Sequence, residues 1–93
     1  MTKLQAYLSF DARVDHGFGL LEPNMPRDKA ALWCATFASL SGRLGEAQSP
    51  ADLDQAVVAG INLRGSHQIT LQQFAAEEDA IKVEVARHEA DED

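Results

Sequence analysis

Between Leu4 and Val14 the apolar residues fall on every second position: Leu4, Ala6, Leu8, Phe10, Ala12 and Val14, with Gln5, Tyr7, Ser9, Asp11 and Arg13 between them. A repeat of two is what a strand with one buried face requires, because successive side chains leave a strand on opposite sides. A helix through the same residues would gather Leu4, Tyr7 and Leu8 on one face, but it would set Asp11 beside them and lose Phe10. The alternation therefore predicts a strand, and with it a fold that contains a sheet. Asp15-His16-Gly17 fits a turn after that strand, and residues 18–22 fit a short partner strand folding back, ended by Pro23 and Pro26.

Helical spacing takes over downstream. Pro26 suits a first helical turn, with Asp28 nearby to complement the helix dipole. Ala30, Trp33, Phe37, Leu40 and Leu44 then recur at intervals of three and four, a single helical stripe, with Gly45 as its expected C-terminal cap. A second helix is announced by Ser49-Pro50-Ala51-Asp52, with Ser as N-cap, Pro at the first position and an acid three residues after the cap. Leu53, Val57 and Ile61 supply its stripe, and Gly60 with Asn62 marks its expected end.

The last third supports two readings. His67, Ile69 and Leu71 alternate with Gln68, Thr70 and Gln72, as Ile81, Val83 and Val85 alternate with Lys82 and Glu84, so two strands joined around residues 75–79 would make a hairpin. The competitor is a long helix from Thr70, with Gln73 completing a capping box and Leu71, Phe74, Ala75, Ile81 and Val85 inside. That helix buries Glu78 and strands Val83 on the outside. The β-branched residues from Ile81 to Val85 favour the hairpin. The expected fold class is thus α+β: an N-terminal strand or hairpin, two helices and a C-terminal β-hairpin, with the helices on one face of a small antiparallel sheet. The alternative, with the C-terminal segment a long helix, is mostly α.

Ninety-three residues support one core, so residues 1–88 are expected to form a single small globular domain and residues 89–93 a disordered acidic tail with no apolar side chain to bury. A core this small makes a homodimer a natural source of added stability. Cys34 is the single cysteine, which excludes an intrachain disulfide, and Thr2 and Lys3 do not begin a signal segment. The longest apolar stretch, near residues 30–37, is interrupted by Thr36 and is far short of the roughly 20 residues that a membrane span needs. These features predict a cytoplasmic protein away from membranes.

The charge is concentrated. From Glu77 to Asp93 there are eight carboxylates against Lys82 and Arg87, which puts six of the net −7 at one end. A concentrated acidic field steers a protein toward a basic partner, and the lack of clustered Lys and Arg argues against direct binding to a nucleic-acid backbone.

No residue pattern points firmly to catalysis. Cys34 beside Trp33 would need a neighbouring histidine or helix N-terminus to become a nucleophile, and a small packed core side chain is the simpler reading. His16, His67 and His88 lack metal-ligand spacing, and no metal or other cofactor is expected. Gly17-Phe18-Gly19 lacks the third glycine and the Lys-Ser/Thr of a phosphate loop, so it reads as hairpin punctuation. Asp52 and Asp54, and the Glu77-Glu78-Asp79 run, are adjacent in solvated turns and lack the unlike environments that paired catalytic carboxylates require.

The expected function is therefore non-enzymatic: a small acidic protein that binds and modulates or inhibits another protein, as immunity proteins, phage-encoded inhibitors such as anti-CRISPR proteins and small adaptors do. Its expected contacts are Phe18, Leu20, Leu21 and Met25 as apolar anchors, and Glu77, Glu78, Asp79, Glu84 and Glu89 as the acidic surface. Two alternatives stand beside it. One is a nucleic-acid mimic that occupies the groove of a DNA- or RNA-binding protein, which would need residues 77–93 to be ordered. The other is a small ligand-binding domain or enzyme using Cys34 and a histidine.

Overall fold

The computed structural model describes Tyr7 and residues 24–91, with side chains at Tyr7, 24–26 and 29–87. Within these residues the chain forms three helices, α1 (Arg27–Leu40), α2 (Pro50–Gly65) and α3 (Leu71–Asp91), with a short 3-10 turn at Leu44–Glu46 between the first two. No strand occurs among the described residues, so the α+β expectation is overturned and the mostly helical alternative fits.

α1 is the central element, and α2 and α3 each pack against it. Its sequence explains why one helix can be covered on two sides. Ala30, Ala31, Cys34, Ala35 and Ala38 are all buried, and small side chains let neighbouring helices approach closely. Thr36 is buried as well, and its hydroxyl donates to the Leu32 carbonyl at 2.8 Å, so no polar atom is left unsatisfied there. The helix begins after Pro26, whose carbonyl accepts the Ala30 N–H at 2.9 Å. It ends earlier than the apolar spacing suggests. Ser41 is the C-cap and Gly42, at φ +74°, turns the chain out of the helix. Gly45 is therefore not the cap, and Leu44 reaches the core from the 3-10 turn.

α2 starts as its residues dictate. The Ser49 hydroxyl accepts the Asp52 N–H at 3.2 Å, and the Asp52 carboxylate reaches back to the Gln48 N–H at 3.2 Å, one residue upstream of the usual capping-box partner. Leu53, Ala56, Val57 and Gly60 form its buried stripe. Gly60 is not a terminator, because the helix runs on to Gly65. It lies at the crossing with α1, where a Cβ would be driven into the Phe37 carbonyl and come within 2.9 Å of the Phe37 Cα. The real terminus is a left-handed cap: His67 has φ 63°, the Gln68 N–H donates to the Leu63 carbonyl at 3.0 Å and the His67 N–H to that of Arg64 at 3.2 Å.

This cap, followed by a new helix start, replaces the expected C-terminal hairpin. The Thr70 hydroxyl accepts the Gln73 N–H at 3.1 Å while the Gln73 side chain accepts the Thr70 N–H at 2.9 Å, a closed capping box. From there Phe74, Ile81 and Val85 turn toward the core at helical intervals. Two apolar residues prove costly to the helix and are left outside, Leu71 at 70% and Val83 at 57% exposure. Phe74 covers the face of α1 that a sheet was expected to cover. Its ring lies 4.9 Å from Trp33 and 5.4 Å from Phe37, centroid to centroid, and the Arg64 guanidinium sits 5.6 Å from the same ring.

Of the expected strand over residues 3–14 only Tyr7 is described. It is helical and fully buried, whereas the alternating pattern puts it on the exposed face. The expected partner strand over residues 18–22 lies outside the described residues. α3 runs through Asp91, and residues 92–93 of the expected acidic tail lie outside the described residues.

Candidate protein-binding surface

The acidic residues that the sequence concentrates at one end are carried by α3, and helix geometry decides how they are presented. Residues advance about 100° each around a helix, so Glu77, Glu78 and Asp79 fan over about 200° and do not share a face. Glu77 is half-buried and accepts a hydrogen bond from the Ser39 hydroxyl, which fastens α3 to α1. Glu78 is also half-buried and pairs with Lys82 at 3.2 Å, with the acid N-terminal to the base, the favourable order in a helix. Asp79 is exposed, and Glu84, seven residues after Glu77, returns to the same half-buried flank. Glu89 belongs to the last turns of α3.

The two halves of the expected contact surface fare differently. Met25 is half-buried just before α1, and Phe18, Leu20 and Leu21 lie outside the described residues. The carboxylates are brought onto one element, but part of the set is engaged in holding that element in place. Sequence reasoning missed the outward face of α3, because Val83 counted there only as an argument against a helix. The signal was present in the spacing of Ala76, Ala80, Val83 and Arg87, at intervals of four, three and four.

Cys34 sits in the core with no exposed surface. Burial pushes its thiol pKa up; a hydrogen bond with Tyr7 works the other way, and the nearby Asp54 charge adds to the rise. A nucleophilic cysteine requires the opposite shift. His67 is exposed at the end of α2, and the side chains of His16 and His88 lie outside the described residues. Two open depressions on the surface, one lined by Arg43, Glu46, Ala47 and Asp52 and the other by Arg43, Asp54, Gln55, Val58, Ala59 and Asn62, contain neither Cys34 nor a histidine. Among the described residues no group of three or more His, Cys, Asp and Glu side chains could hold a metal ion, and no helix is long and apolar enough to cross a membrane.

The raised thiol has a pH consequence with a definite sign. The folded state holds the Cys34 proton more tightly than the unfolded chain, so stability is unaffected below the ordinary thiol value of 9.0 and falls as pH rises above it. Melting curves across about pH 8 to 10.5 are expected to fall more steeply for the wild type than for Cys34→Ala. Parallel curves would show that the thiol does not contribute.

The chain matches no protein-family model, curated protein or solved structure in the three comparisons made.

Proposed function

We propose that this protein is a non-enzymatic binding module that docks on a basic surface of another protein and modulates it, with the acidic part of α3 as its electrostatic contact. The observation that carries this reading is that the carboxylates from Glu77 to Asp91 belong to a helix attached to the core through Phe74, Ile81 and the Ser39–Glu77 hydrogen bond. Charges held on a folded scaffold are presented in a fixed arrangement, so less conformational freedom is lost on docking. Helical order in the same segment also supports the nucleic-acid-mimic reading. The fanning of Glu77, Glu78 and Asp79 around the helix favours the protein-docking one, since a mimic needs its acids arrayed along one face.

The test compares wild type with a charge-neutral variant, Glu84→Gln with Glu89→Gln and Asp91→Asn, as immobilised baits in extract from the native host. A partner retained by the wild type at low ionic strength, released by salt and held with an association rate at least about tenfold slower by the variant supports the reading. Equal retention by both baits at all salt concentrations refutes it. Competition by DNA or RNA for the retained partner would assign it to the mimic class.

A further inference from the structure

The outward side of α3 is not an ordinary solvated helix face. Val83 is 57% exposed, the small residues Ala76, Ala80 and Ala86 are exposed around it, and the oppositely charged Asp79 and Arg87 are exposed four residues to either side. At about 100° per residue these six positions occupy a sector roughly 120° wide, opposite the side on which Phe74, Ile81 and Val85 meet the core.

We propose that this face pairs with the same face of a second copy of the chain, α3 against α3 in antiparallel order, about a two-fold axis beside Val83. In a two-fold contact residue i meets j and j meets i. Reversal about Val83 brings Val83 to its own counterpart, Ala80 to the level of the second copy's Ala86, and Asp79 to the level of the second copy's Arg87, twice over. The charge pattern is therefore complementary to its own reversed image. A parallel pairing would instead stack Asp79 on Asp79 and Arg87 on Arg87.

Two further features agree with this order. Alanines beside Val83 remove the bulk that would hold two helix axes apart, so they can approach to about 8–10 Å. The net charge of −7 opposes association, and antiparallel order sets the C-terminal acids of one α3 far from those of the other. An unrelated partner would give no reason for opposite charges equally spaced about a central apolar residue. The pairing stands independently of the basic-protein docking proposed above, which the charge-neutral variant leaves separable because it keeps Asp79, Val83 and Arg87.

Sedimentation of the full chain from about 10 µM to about 1 mM is expected to show its 10.1 kDa mass doubling with concentration. Arg87→Asp and Asp79→Arg should each weaken the dimer at least about tenfold, and the double change should restore it. All three variants should melt with the wild-type monomer, because the altered side chains are exposed. In a Cys34→Ala background, Val83→Cys should oxidise to a covalent dimer far faster than Val58→Cys, an exposed site on α2. A wild type that stays monomeric over this range overturns the proposal. So does a dimer that survives both single reversals, a double change that fails to rescue, or equal cross-linking at positions 58 and 83.

Discussion

Gly60→Ala is expected to destabilise the protein by about 3 kcal/mol or more, although the same change in an isolated helix would stabilise it by about 1 kcal/mol. The two effects have opposite signs, and geometry decides between them. An added Cβ meets backbone atoms of Phe37, which cannot rotate aside as a flexible side chain would. The α1–α2 crossing would have to open, and the contacts of Leu53, Ala56 and Val57 with the small residues of α1 would open with it. For a domain of this length each kcal/mol corresponds to roughly 4–8 °C, so the melting temperature should fall by more than about 12 °C. Gly60→Leu should leave the chain unfolded at ordinary temperature. An unchanged or raised melting temperature for Gly60→Ala would show that the helices do not cross at this residue.

Phe37→Ala should lower stability by about 3–5 kcal/mol, a large part of the roughly 5–15 kcal/mol that a small domain possesses. Phe37 is buried to 8% exposure and packs with tilted rings against both Trp33, at 5.9 Å, and Phe74, so its removal opens a cavity where α1 holds α3. Trp33 is half-buried in the same cluster and gives a second readout, since its emission should shift to the red in whatever fraction remains folded. Phe37→Leu, which keeps most of the volume, should recover much of the loss. A loss below about 1 kcal/mol, with Trp33 emission unmoved, would contradict the three-ring cluster as the joint between these helices.

What was legible in the sequence was local chemistry with one outcome. Ser49, Pro50 and Asp52 together have few uses other than starting a helix, and α2 starts there. Gly60 illustrates the opposite case. Glycine ends helices and also permits close crossings, and only the position of Phe37 on another helix distinguishes the two. In the last helix, Ile81, Val83 and Val85 satisfy a strand by alternation, while Phe74, Ile81 and Val85 satisfy a helix by longer spacing. Local β-propensity gave way to the Thr70–Gln73 box and to burial against α1, at the expense of leaving Val83 in water. The acidic surface was legible as a count but not as an arrangement, because a total charge does not record the angle of each residue about the axis. Ser39 as a partner for Glu77 lies 38 positions away in the chain, and no local pattern announces it.

Because α2 and α3 are both held by α1, the two attachments can break separately. The α1–α2 side is closed by backbone-to-backbone approach at Gly60, whereas α3 is held by a ring cluster, Ile81 and a side-chain hydrogen bond. Detachment of α3 alone therefore exposes little of what Gly60 brings together, and it defines a partly open state lying below global unfolding. Backbone amides of α3 would exchange with solvent through that state, while those of α1 and α2 would await complete unfolding. A ligand gripping α3 would close the lower-energy route first, so binding would register as slowed exchange along one helix and scarcely at all along its neighbour.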